Sequence, residues 1–210
     1  MLFRSEPKGS GYVAKHGKDF LLANDAWARF INFRYGPDGN VYLIDWYDKQ
    51  ACHRNEPEIW DRTNGRIYKI SYRGTKPVTG IDLQKCTDEE LVKYQLHEND
   101  WYVRHARRVL QERALKWDAE QKKAIRTQLT EIAEKNSDEL RRLRGLWALH
   151  ATSLVHRDYA IAASFDKSPH VRGWLRKVLG DGDYESLPCG TSFFQGLPTE
   201  HPLVRRRILE

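Results

Sequence analysis

The chain has 210 residues, 40% hydrophobic and 30% charged, enough for one domain of good size or two small ones, and too apolar for a disordered chain. Its net charge is +6, yet residues 1–80 carry 13 Lys+Arg against 9 Asp+Glu and residues 81–210 carry 22 against 20; neither half has the one-sided charge of a nucleic-acid binder, and only Arg104–Arg113 hints at one. Cys52, Cys86 and Cys189 are too few and too widely spaced for a disulfide framework or a zinc motif.

The N-terminal "MLFRSEPKGSGY" has no apolar stretch of the signal-peptide kind, and no run approaches the ~20 apolar residues of a membrane span. Residues 11–73 read as strands: "GYVA", "DFLLA", "FINFR", "VYLIDWY" and "GRIYKISY" are short, rich in β-branched and aromatic residues, and separated by Gly, Asn, Asp and Pro. "GPDG" at Gly36–Gly39 is turn chemistry, with Pro37 presetting φ and Gly39 permitting a positive one. It leads into Val41–Trp46, whose near-continuous apolar character predicts a strand covered on both faces. In "RIYKISY" the alternation puts Tyr68, Ile70 and Tyr72 on one face.

Residues 74–86 read as a linker, after which the period becomes helical. Thr87 and Glu90 form a predicted capping box. Val103, Ala106 and Leu110, with Val109 beside them, mark the buried face of one helix. Ile125, Leu129, Ile132 and Ala133 mark a second. Leu140, Leu143, Trp147 and His150 mark a third, flanked by Leu146 and Leu154. "HEND", "KN" and "DKSPH" are breaks, with Asn99, Ser137 and Ser168 as N-caps. Tyr102–Leu110 and His170–Leu179 are alike, their Val-Arg openings two units of about 34 residues apart, which fits an α-solenoid of helix pairs. Residues 181–210 lose the pattern and read as an irregular tail.

"SGYVAKHGKDFLLANDAWARFINFRYGPDGNVYLIDWYDKQACH" with "DRTNGRIYKISY", followed by helical repeats, resembles the end of the β-propeller in the membrane-bound dehydrogenases of planctomycetes and related bacteria, which are similar to glucose/sorbosone dehydrogenases. The resemblance spans about residues 9–180. It implies an α+β multidomain chain: a partial antiparallel propeller-blade region over 1–73, the linker, HEAT-like repeats over 87–180, and the tail. It also implies an exported parent that oxidises sugars or alcohols with pyrroloquinoline quinone and Ca²⁺. A propeller needs several four-stranded blades, so the chain reads as a piece of such a parent, inactive alone and binding no cofactor itself. The alternative is a HEAT-repeat protein-interaction module without catalysis, with a protein partner on the helical surface.

Candidate site residues cluster after the "VYLID" strand. Cys52-His53 ends a stretch in which Lys49 stands where a c-type haem motif has its first cysteine, so no haem site is expected in this chain. His53 and Asp48 are candidates for a catalytic base at a propeller mouth, and Asp45, or Asp48, for holding Ca²⁺ or a sugar hydroxyl. The competing reading has these short side chains bonding to their own loop backbone. Asn64-Gly65 in "DRTNGR" is a turn, and Arg66 is expected in a blade-to-blade ion pair. Arg104, Arg107, Arg108 and Arg113 read as a solvated stripe partly paired with Asp100 and Glu112. His97, His105, His150 and His156 have no ligand spacing, and neither a Gly-rich phosphate loop nor a nucleophile elbow is present.

Overall fold

A computed structural model of the chain describes residues 3–8, 11–19, 21–49, 63–181 and 202. Strands β1 (Phe3–Lys8) and β2 (Gly11–His16) form a two-stranded sheet. Strands β3 (Phe30–Tyr35), β4 (Val41–Asp45) and β5 (Arg66–Ile70) form a three-stranded antiparallel sheet in that order. Among the described residues six α-helices follow between Asp88 and Asp181, so the fold is α+β, with strands first and helices after. The chain divides into two compact units, one holding the three-stranded sheet and the other the helices.

In the first unit the β3–β4 turn forms as its sequence predicts. Gly39 N–H donates to Gly36 O at 3.0 Å, Gly36 N–H to Asn40 O at 2.9 Å, and Gly39 has φ +74°. Lacking a Cβ matters at Gly36 as well, because one added there would lie 2.6 Å from the Tyr42 ring. The β3–β4 register slips between Ile31 and Arg34. Asn32, at φ +55°, takes the left-handed conformation that a short polar side chain tolerates and that a bulge needs.

Three expectations for this unit are corrected. "DFLLA" forms no strand over its described residues Asp19 and 21–23. β4 is covered on one face only, since Leu43 and Asp45 are buried while Ile44 is 39% exposed. Ile44 pairs with Ile31 on one side and Ile67 on the other, giving an exposed isoleucine row. Tyr72 lies beyond the end of β5 and is exposed. The strand β1 was not anticipated at all, its Pro7 and charged residues masking it.

The second unit takes in Ser5–Ala14, most of β1 and β2, and holds α1 (Asp88–Lys93), α2 (Asp100–Ala114), α3 (Ala119–Lys135), α4 (Glu139–Ala151), α5 (Arg157–Ser164) and α6 (Pro169–Asp181). Consecutive helices pack as pairs: α1 on α2, α3 on α4, α5 on α6. Across pairs, α2, α4 and α6 make one layer and α1, α3 and α5 the other. The core is the expected α2 face, Val103, Ala106 and Leu110, and the expected α3 face less the half-buried Ile132, namely Ile125, Leu129 and Ala133, joined by Leu91, Leu146, Leu149, Tyr159 and Leu175. Gly145 lets α4 approach α3 so closely that a Cβ there would sit 2.8 Å from Ala133 N.

The caps follow simple chemistry. Thr87 and Glu90 form the capping box, Asn99 caps α2, and the Ser168 hydroxyl accepts the His170 and Val171 amides ahead of Pro169. The cap of α4 is Asp138 rather than Ser137. The linker holds a 3₁₀ turn at Leu83–Lys85 capped by Asp82. The α4 face is also rotated from the expected one: Leu140 is 47% exposed, while Arg142 and Arg144 are buried. Arg142 donates to both carboxylate oxygens of Asp166 (2.9 and 3.1 Å) and to the Asn136 and Ser137 carbonyls. None of the described helices is long and apolar enough to cross a membrane.

Candidate functional site

Asp45 ends β4 with its side chain fully buried. Its Oδ1 accepts Arg29 N–H at 2.7 Å and Tyr47 N–H at 3.0 Å. The chain can fold back onto this carboxylate because Tyr47 adopts φ +48°. Two backbone bonds hold the same segment, Trp46 N–H to Arg29 O at 3.1 Å and Asp48 N–H to Trp27 O at 2.9 Å. Asp45 Oδ2 accepts no hydrogen bond and lies 3.7 Å from Arg66 Nη1.

Arg66 also approaches Asp25 (3.7 Å), donates to the Tyr68 hydroxyl (3.1 Å) and lies 4.0 Å over the Tyr47 ring. Its charge is therefore engaged with groups of its own unit. Trp27 meets Tyr47 edge-on, and the Lys49 ammonium sits 4.4 Å over the Trp27 ring. The result is a cluster of aromatic rings and cations around one buried carboxylate. Asp48 is half-buried beside it. His53, with Cys52, Asp61 and Arg62, lies outside the described residues, so the structure brings together two of the three candidates, Asp45 and Asp48.

This donor set does not fit Ca²⁺. The ion takes six to eight oxygens, whereas one oxygen of Asp45 is filled by two amides and the other faces a guanidinium. No group of three or more His, Cys, Asp or Glu among the described residues could hold a metal.

The sequence reading missed a second polar cluster in this unit. Asp38, in the β3–β4 turn, accepts from Lys69 Nζ at 2.6 Å, the Tyr42 hydroxyl at 3.1 Å and Asn40 N–H at 3.1 Å. The Lys69 ammonium holds the Asp38 carboxyl far below the usual carboxylate range, and Asp38 in turn raises the pKa of Lys69. The cluster ties the turn to β5. The Asp of "GPDG" is its one visible signal.

In the helical unit the arginine stripe is not uniform. Arg104 and Arg108 are exposed and pair with Asp100 (3.6 Å) and Glu112 (2.9 Å) as expected. Arg113 turns inward to Asp88 and the Cys86 and Gln84 carbonyls, each within 2.8 Å. Arg107 donates to Gln95 Oε1 and lies over the Trp147 ring at 5.4 Å. Beside it Trp101 stacks on His105 at 4.1 Å, and Tyr102 stacks on Tyr94 at 5.4 Å. His156 is a cap, its Nδ1 accepting Tyr159 N–H, and burial lowers the pKa of both His150 and His156.

Residues 3–74 match a family described as a domain of unknown function, DUF7133. No curated protein and no solved structure matches the chain.

Proposed function

We propose that the helical unit is a HEAT-type protein-interaction module carried at the end of a β-propeller. The single observation that carries this reading is the arrangement of α1–α6 as three consecutive pairs in two layers. Such stacks expose a long face while burying a continuous core. Val103 and Val171, the matched positions of the two similar segments, are both fully buried, as equivalent positions of a repeat should be.

The propeller reading for the sheet, and descent from a quinone-dependent sugar or alcohol dehydrogenase of an exported family, rest on the sequence resemblance. Asp45 reads as a structural carboxylate rather than a cofactor ligand, because both of its oxygens face donors of its own unit. Of the residues proposed for catalysis, Asp48 is left as the described candidate.

The test is site-specific photo-crosslinking in cells of the source organism. The probe replaces Arg108 on α2 or, as control, the exposed Lys122 on α3. One stoichiometric partner captured from position 108 and not from 122 is expected. A chain that stays monomeric and crosslinks to nothing from position 108 counts against the module. In parallel, incubating the chain with pyrroloquinoline quinone, Ca²⁺ and an electron acceptor is expected to give no turnover; oxidation of any sugar or alcohol overturns the inactive-piece reading.

A further inference from the structure

Most arginines of the helical unit are matched. Arg142 has Asp166, Arg113 has Asp88, and Arg108 has Glu112. The seam between α2 and α4 is the exception. Arg144, buried, donates to Asp100 Oδ1 at 3.1 Å and to the His97 carbonyl at 2.8 Å. Arg104 approaches the other oxygen of the same Asp100 at 3.6 Å. Arg107 has no carboxylate of another described residue within ion-pair distance; both of its hydrogen bonds, at 3.3 Å, go to the neutral Gln95 Oε1. Two guanidinium groups thus share one carboxylate, and a third has a neutral amide oxygen for its acceptor.

The seam also holds unmet donors. Arg144 Nε and the Trp147 indole N–H are buried without an acceptor, and Trp147 meets Trp174 edge-on at 5.2 Å. Burial and the neighbouring Arg144 and Arg104 charges push the Arg107 pKa down to about 10, Asp100 only partly opposing them. Among the described residues the site therefore has a surplus of positive charge, and around Arg107 and Arg144 burial leaves it poorly screened by water.

We propose that this seam receives an acidic segment of a partner protein, with a side-chain carboxylate paired to Arg107, Arg104 at the rim, and the Trp101–His105 stack as the adjoining wall. The inference rests on the interaction-module reading and names the chemistry of its partner. The charge surplus is compact. Nucleic acid needs a row of free cations to follow its backbone phosphates, and here Arg108 and Arg113, farther along α2, are already paired. An arginine fork with an aromatic neighbour suits a carboxylate on a peptide.

Fluorescence anisotropy of a fluorescein-labelled hexaglutamate peptide titrated with the full chain tests this, with labelled hexathymidylate alongside. Saturable peptide binding is expected, tighter than the oligonucleotide, and weakened about tenfold or more by Arg107→Gln and by Arg104→Glu. Arg104 is exposed, so R104E keeps the test decisive even if R107Q fails to fold. Lys122→Glu makes the same charge change on α3 and should have little effect. The proposal is overturned by no binding, by K122E weakening binding as much as R104E, or by tighter binding of hexathymidylate. If the peptide fails while position 108 still captures a partner, this inference falls and the module stands. If both fail, both fall.

Discussion

The contact of α3 with α4 makes a sharp prediction from a contest of two known effects. Replacing a helical Gly by Ala gains about 1 kcal/mol of intrinsic helix propensity. At Gly180, near the end of α6, the new methyl meets no atom of the described residues within 4 Å, so the gain is kept, reduced to about 0.5 kcal/mol by end fraying. At Gly145 the methyl would lie 2.8 Å from Ala133 N and 2.9 Å from both Ala133 Cα and Cβ. Backbone cannot move aside as a flexible side chain can, so the helices must separate, and overpacking of this kind costs about 1–3 kcal/mol. With several core side chains loosened at once the upper part of that range applies. Gly145→Ala should therefore lose about 1–2 kcal/mol net, while Gly180→Ala gains. Urea unfolding followed by far-UV circular dichroism separates the two by the sign of the midpoint shift at unchanged slope. A G145A variant as stable as the parent would refute the close packing of α3 on α4.

Asp45→Ala strips the Arg29 and Tyr47 amides of a charged acceptor and should cost the sheet unit about 3–5 kcal/mol. Asp45→Asn keeps one acceptor oxygen and should cost less, a ranking read from hydrogen exchange at those two amides. The contribution of Asp38 to stability is complete above its unfolded value of about 3.9 and disappears only as pH falls through its much lower folded value. Lys69, raised, contributes fully below about 10.4 and loses its contribution as pH rises through its higher folded value. Lys69→Met should thus return the Asp38 titration, followed by NMR, toward the ordinary range; an unmoved titration would show that the pair does not set it. Arg142→Ala leaves Asp166 and two carbonyls without their donor and should cost the helical unit about 3–5 kcal/mol, measured by the same urea titration.

What could be read from the sequence was local. The "GPDG" turn, the Thr87–Glu90 box, the Asn99 and Ser168 caps and the α2 and α3 faces each depend on residues within a turn or two of one another. The α4 face was misread because Arg142 and Arg144 count as polar in any pattern, yet both are buried by acceptors far away in the chain, Asp166, Asp100 and the His97 carbonyl. Two helix breaks, at Leu115–Asp118 and Thr152–His156, passed unnoticed, although Asp118 and Gln121 make a capping box of their own. Asp45 was visible as a residue of interest, but what it does depends on Arg29, sixteen positions earlier, and on a left-handed Tyr47 that no propensity favours. The bulge at Asn32 and the inward turns of Arg107 and Arg113 are likewise tertiary facts.

Arg107 also poses a question that folding alone does not answer. Its aliphatic stem could cover Trp147 equally well as methionine, without desolvating a charge whose acceptor is a neutral amide. The amide complicates a single replacement, because Arg107→Met would leave Gln95 Oε1 buried and without its donor, costing about 1–3 kcal/mol. Replacing both partners by apolar groups of similar shape removes that penalty and is nearly neutral or stabilising in comparable cases. The double variant Gln95→Met, Arg107→Met should therefore unfold at a urea midpoint no lower than the parent, while binding hexaglutamate about tenfold or more weakly. Stability kept and binding lost would mean that the guanidinium serves a ligand rather than the core. A double variant that unfolds well below the parent would instead make Arg107 and Gln95 a structural pair. The charge surplus at the α2–α4 seam would then be part of how the helices hold together.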